Sequence, residues 1–152
     1  MAVRQLLDDF EEEFTCYGIQ SKGMDEVKFV FHLNKLFSFQ LSRIHDLDID
    51  INNKTFCFSL YEYFDEIHSV EYFLIKNQSH PVLISGADTL FGQIQETEFI
   101  LNKYKGFDYI VKIPIVDEIV VLNEVSLRSS DLIQTYSILD SLTSKEKNLL
   151  IL

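Results

Sequence analysis

Three aspartates at alternate positions, Asp46-x-Asp48-x-Asp50, are the first residues whose spacing suggests chemistry. They copy the opening ligands of a calcium loop, which goes on to need Gly at its sixth position and Glu at its twelfth. Those positions hold Ile51 and Cys57. The aspartates alternate instead with Leu47, Ile49 and Ile51, the pattern of a strand with one wet face. No metal site is expected here. The histidines, His32, His45, His68 and His80, stand at no ligand spacing with one another or with a cysteine.

Nucleophilic chemistry finds little support. Cys16 and Cys57 are the only thiols. The strand register argued below sets Cys57 opposite Asp48, and a neighbouring carboxylate raises a thiol's pKa, which opposes activation. There is no G-x-S-x-G elbow, no P-loop and no G-x-G-x-x-G. Glu62, Asp65, Glu66 and Glu71 supply carboxylates, but acid–base work needs one of them in an apolar pocket. The sequence therefore assigns no catalytic residue and no cofactor. The aromatic cluster Tyr61, Tyr63, Phe64, Tyr72 and Phe73 is read first as core packing and second as an interface or ligand face. Tyr61, Tyr63, Asp108 and Tyr109 are the candidate binding residues. Asp108 follows Gly106 at the mouth of an apolar strand and is expected to accept N–H groups of the 103–106 turn. Tyr109 is expected to anchor that strand in the core.

The elements that must position these residues can be read from period. Phe14–Ile19 is a strand by its β-branched and aromatic content. Residues 25–37 turn helical, with Val27, Val30, Phe31 and Leu33 or Asn34 inward, then Leu36 and Phe37, and with Lys28, His32 and Lys35 outward. Ser21 or Asp25 would cap the start. Leu47–Ile51 and Lys54–Leu60 form a hairpin about Asn52-Asn53, because Asn tolerates the positive φ of a tight turn. That loop pairs Ile51 with Lys54, Ile49 with Phe56, Leu47 with Phe58, Asp50 with Thr55 and Asp48 with Cys57. Residues 69–76 make a strand hydrophobic on both faces, hence central. Residues 81–85 are a short extended piece, 86–105 largely loop, and 107–115 a strand. A helix over 117–127 capped by Asp117, although Ile119-Val120-Val121 prefers strand, then strands over 132–139 and 149–152 around a polar turn at 141–148, complete the reading. The expected class is α+β, a mostly antiparallel sheet with about two helices packed on one face.

The chain has 152 residues, 47% of them hydrophobic, with 13 Phe and 7 Tyr, and a net charge of −11. That is too apolar for disorder and long enough for one core. A single domain over 1–152 is expected, with 1–13 as a short helical or flexible acidic leader carrying Leu6, Leu7 and Phe10. The basic residues are scattered, so binding of nucleic acid or an anionic membrane is not expected. Residues 1–71 hold 14 acidic and 6 basic groups, and residues 72–152 hold 10 and 7. Much of that acid alternates with core residues along strands. No apolar h-region follows Met1, and two cysteines suit a reducing cytoplasm.

Three stretches carry a family likeness. Tyr17-Gly18-Ile19 precedes a helix containing Leu33-Asn34-Lys35-Leu36. Leu60-Tyr61-Glu62-Tyr63-Phe64-Asp65-Glu66 is followed by Tyr72-Phe73-Leu74-Ile75-Lys76-Asn77. Gln134-Thr135-Tyr136 and Ser144-Lys145-Glu146-Lys147-Asn148-Leu149 close the chain. The whole resembles the IPExxxDY family, small bacterial proteins of unknown function. Asp108 and Tyr109 match the end of the name-giving motif, while Asn102, Lys103 and Tyr104 stand where Ile-Pro-Glu would be. The resemblance implies a cytosolic, single-domain protein and brings no activity. The expected function is a non-catalytic domain acting by protein association, as a homodimer or with an unnamed protein partner. The alternative is a small-molecule binder or enzyme with a pocket lined by Tyr61, Tyr63 and Asp108.

Overall fold

The computed structural model describes residues 14–84, 94–114 and 131–152. The helix expected over 117–127 and the acidic segment 1–13 lie outside them. The chain runs β1 (Phe14–Ser21), α1 (Glu26–Phe37), β2 (Ser42–Arg43), β3 (Leu47–Ile51), β4 (Lys54–Phe58), β5 (Leu60–Asp65), β6 (Val70–Lys76), β7 (Val82–Ile84), β8 (Ile94–Glu96), a 3-10 turn (Asn102–Tyr104), β9 (Tyr109–Pro114), β10 (Ile133–Ile138) and α2 (Ser144–Leu149). Six strands form one antiparallel sheet in the order β10-β1-β9-β6-β5-β2, and β3-β4 and β7-β8 are separate hairpins. Among the described residues no helix is long and apolar enough to cross a membrane.

The α+β class holds. The layering differs from expectation, because both faces of the sheet are covered. On one face α1 seats Phe29, Val30 and Leu33 against Tyr17, Ile19, Tyr72, Leu74, Tyr109 and Val111. On the other face Phe56 and Phe58 of the hairpin, Ile100, Leu101 and Leu150 cover Cys16, Phe73, Ile75 and Ile110. Alternating residues of the inner strands therefore both find apolar cover, and each large side chain so buried contributes roughly 1.5–3 kcal/mol. The two helices sit on opposite faces: Leu149 of α2 packs with the second cluster.

Asp25 caps α1, its carboxylate accepting from the Lys28 N–H at 2.9 Å. Ser38 ends it in the left-handed region at φ 57°. The buried stripe of α1 keeps the expected Val30 and Leu33, with Leu36 and Phe37 packed beside them, but takes in Phe29, whereas Val27 and Phe31, expected inward, face out. Two stripes compete on this helix. The stripe through Phe29 continues to Leu33, Leu36 and Phe37, whereas the one through Val27 and Phe31 continues to Asn34 and Lys35, so the first buries more apolar area.

The β3-β4 hairpin has the expected register at all five pairs. Asn52 and Asn53 both carry positive φ, 52° and 64°, as the turn demands. Its strand stops earlier than expected, however. Ser59 breaks it, and Leu60 begins β5 in the main sheet. Strand β6 lies inside the sheet between β5 and β9 as expected. No strand forms at 149–152: the stretch read as a polar turn and the start of that strand is α2, Ser144–Leu149, and residues 150–152 follow it without regular structure. Thr143 and Glu146 form a capping box, with the Thr143 hydroxyl accepting from the Glu146 N–H at 3.2 Å and the Glu146 carboxylate accepting from the Thr143 N–H at 2.9 Å.

Candidate functional site

Among the described residues, a group of interacting polar side chains next to an exposed apolar surface lies where α1 meets β2 and β5. Its centre is Glu26, held at the first turn of α1 by the Asp25 cap. The Asn34 side chain, further along the same helix, clamps the return loop. Its amide donates to the Leu41 carbonyl at 3.1 Å, and its oxygen accepts from the Leu41 N–H at 3.0 Å. That clamp delivers Ser42–Arg43 to the sheet edge, where they pair with Glu62 and Tyr61.

The Tyr61 hydroxyl donates to the Glu26 carboxylate at 2.6 Å, and the Lys76 ammonium stands 3.6 Å from its other oxygen. Burial alone would raise the Glu26 carboxyl. Hydrogen bonds from Tyr61 and Ser59, with the charges of Lys76 and Arg43, outweigh it and hold the carboxyl below its ordinary 4.5. Burial and the bond to Glu26 push the Tyr61 phenol upward. The Arg43 guanidinium lies over the Tyr61 ring, 5.6 Å from its centre, and pairs with Asp46. Glu26 is thus a fixed anion and Tyr61 a fixed donor, and neither is poised to move a proton at neutral pH.

From Asp46 the contacts continue to His80 Nε2 at 3.6 Å, and from the same nitrogen to the Ser59 hydroxyl at 3.2 Å. A serine, a histidine and an aspartate are therefore adjacent. They do not form a catalytic relay, which needs the acid on one ring nitrogen and the hydroxyl on the other. Here both approach Nε2, and Ser59 is 1% exposed. Cys57 faces Asp48 as expected, and the hydrogen bond to that carboxylate, then burial, raise its thiol. Among the described residues no group of three His, Cys, Asp or Glu could hold a metal ion.

Beside this polar wall opens a cavity of about 440 Å³ between α1 and β2, lined by Glu26, Val27, Val30, Phe31, Arg43 and Tyr61. Its outer lip is apolar and uncovered: Val27 is 75% exposed and Phe31 55%. The Lys35 ammonium sits over the Phe31 ring, 4.6 Å from its centre.

Of the four sequence-derived candidates, only Tyr61 lines this cavity. Tyr63 stacks on Tyr72 at 5.7 Å and meets the Phe39 ring at a tilt, 5.5 Å away, beside a separate cavity with Glu62 and Glu71. Asp108 does not serve the 103–106 turn. It accepts from the Ser21 N–H at 2.8 Å and pins β1 to the start of β9. Tyr109 is buried and stacked on Phe29 at 4.1 Å, the core anchor expected of it. The turn is held instead by Asn77, fully buried. Its amide donates to the Tyr104 and Phe107 carbonyls, both at 3.0 Å, and its oxygen accepts from the Leu101 N–H at 2.9 Å. In the aromatic cluster Tyr61, Tyr72 and Phe73 are buried, Tyr63 is half-buried and Phe64 is exposed, so the first reading, core packing, holds for most of it. Glu26, Arg43, Val27 and Phe31 were not singled out in the sequence as site residues. The one available signal was that the Val27–Phe31 stripe ends in polar residues.

No family model, no curated protein and no solved structure matches the chain.

Proposed function

We propose that this protein is a non-catalytic domain that works by protein association, first of all with a second copy of itself, through the groove between α1 and β2. The observation that supports this most directly is the exposure of Val27 and Phe31, one helical turn apart, over an apolar cavity. Neighbouring apolar side chains left in water on a helix whose other apolar residues are covered suit a surface that is covered in use. The polar wall behind them is already satisfied internally, which suits a positioning role better than a reaction.

A small-molecule site using Tyr61 and Glu26 is the second reading, and the cavity volume favours it. It is weaker because Tyr61, Ser59 and Lys76 already engage the Glu26 carboxylate. The proposal keeps the protein off nucleic acid and anionic membrane on its charge of −11, and in the cytoplasm on its cysteine usage. Kinship with the IPExxxDY group, proposed on Tyr17-Gly18-Ile19 and Asp108-Tyr109, would bring no reaction with it.

Sedimentation equilibrium tests the proposal. The expected result is a concentration-dependent dimer whose dissociation constant rises at least about tenfold in Val27→Asp, with no change in unfolding midpoint. A wild-type chain that stays monomeric at the highest soluble concentration would sink it.

A further inference from the structure

The groove borders on a surface of opposite sign. Lys28 and Lys35 stand three residues before and four residues after Phe31 on α1, so both lie beside it on the helix surface. Both are exposed, and neither forms an ion pair among the described residues. The carboxylates on this side are already engaged: Asp25 caps α1, Glu26 holds Tyr61 and Lys76, and Asp46 pairs with Arg43. The lip formed by Val27 and Phe31 is therefore apolar and flanked by two unneutralised lysines.

On the other side of the return segment 39–43 the sign is reversed. β2 pairs only with Tyr61 and Glu62, and beyond it the outer edge of β5 has no strand beside it among the described residues. Phe64 on that edge is exposed, as is Ile67 in the β5-β6 turn. Phe64 lies opposite Glu71 of β6, and Glu62 opposite Phe73, so Glu62, Phe64 and Glu71 share the face turned away from α1. They form the rim of a cavity of about 330 Å³ with Gln40 and Ser42. Glu66 adds a third carboxylate at the turn. Glu62, Glu66 and Glu71 form no ion pair among the described residues, whereas the nearby His68 is paired with Asp65. This rim is apolar at Phe64 and acidic around it.

Two copies can meet along this edge about a two-fold axis in two ways. An axis perpendicular to the sheet sets α1 face beside α1 face. Groove then meets groove, and Lys28, Lys35, Glu62 and Glu71 each meet their own kind. An axis parallel to β5 sets the α1 face of one copy beside the opposite face of the other, so that groove meets rim, twice. That axis keeps height along the strand. Tyr61 at the groove and Phe64 at the rim are three residues apart on β5, roughly 10 Å, so the two surfaces come level to within the length of a side chain or two. Like charges oppose the first arrangement and opposite charges favour the second, so charge selects between them.

We infer that the α1–β2 groove of one copy is filled by the Phe64 rim of a second copy, about a two-fold axis parallel to β5. This rests on the association reading above and names the surface that occupies its groove. Phe64 enters the cavity beside Val27 and Phe31, and Glu62, Glu66 and Glu71 meet Lys28 and Lys35. Each copy gives one groove and one rim, so the two contacts close the dimer and leave neither surface open for further growth.

Charge-reversed full-length chains test it by sedimentation. Lys28→Glu with Lys35→Glu makes the groove acidic, and Glu62→Lys with Glu71→Lys makes the rim basic. Each double variant alone should raise the dissociation constant at least about tenfold, because both contacts of its dimer then join like charges. An equimolar mixture should regain the wild-type constant as a heterodimer. The acidic groove of the first variant meets the basic rim of the second, and the basic groove of the second meets the acidic rim of the first. One chain carrying all four substitutions should also dimerise like wild type. Groove-to-groove contact predicts no loss in either double variant, since two like charges face each other before and after reversal. A double variant that dimerises as tightly as wild type, while Val27→Asp still weakens the dimer, would overturn the rim as occupant and leave the association reading standing. Losses that neither the mixture nor the four-substitution chain recovers would overturn it too. A wild-type chain that is monomeric throughout would remove both.

Discussion

Two polar nodes in this fold look alike in composition and differ in what they face. Asn77 is fully buried, and its side chain bonds only to backbone, at Leu101, Tyr104 and Phe107. Its own N–H donates to the Asp108 carbonyl, and its carbonyl accepts from the Ile100 N–H, both at 2.9 Å. Every donor and acceptor it has is spent on fixing one turn. Glu26 is bonded to side chains, Tyr61, Ser59 and Lys76, and stands at the rim of a cavity whose outer lip is apolar and wet. The first node closes the molecule on itself. The second holds a surface in shape and leaves it open, and it is there that association is expected.

The difference can be broken most severely at the closed end. Asn77→Leu removes three side-chain hydrogen bonds and strands the Leu101 N–H and two carbonyls in an apolar setting. A loss of about 3–5 kcal/mol in urea unfolding is expected. Gly18 guards the same turn. A Cβ there would lie 2.6 Å from two ring carbons of Phe107, whose carbonyl Asn77 holds. Gly18→Ala should cost about 1–3 kcal/mol by overpacking, and Phe107→Leu in the same chain should recover part of it.

At the open node the effect is smaller and depends on pH. Tyr61→Phe removes the donor to Glu26 and should cost about 1 kcal/mol at neutral pH. The folded Glu26 carboxyl lies below its ordinary 4.5, so the stability it brings is present above that value and is lost as pH falls through the folded one. Tyr61→Phe should shrink that acid loss, and the two unfolding curves should converge on acidification from neutral pH. A gap that stays constant over this range would show that Tyr61 does not hold the Glu26 charge.

Much of the local architecture is legible in the sequence. The hairpin could be read to the register because strict alternation and Asn52-Asn53 point to one answer. The central strand β6 could be read because it is apolar on both faces. The C-terminal helix was overlooked, although Thr143-x-x-Glu146 is a capping-box signature, because the run Leu149–Leu152 reads as strand. The site was less legible. Its residues are drawn from α1, β2 and β5, and no local pattern shows that Asn34 folds the chain back to bring Arg43 beside Glu26. The misread stripe of α1 is the instructive case. Val27 and Phe31 have the spacing of core residues and are not used as core, and a residue pair that breaks the pattern in this way marks a surface with another task.

The place of β1 in the sheet has a further consequence. It is the earliest of the described strands in the chain, yet it pairs with the two latest, Cys16 with Lys112 in β9 and Tyr17 with Ile138 in β10. On a ribosome this strand emerges before any of its partners exist. The hairpin β3-β4 and the β5-β6 pair can form while it waits, but the sheet closes only once residue 138 is out. Folding should therefore be slow for the size of the chain and should end rather than begin at its first strand.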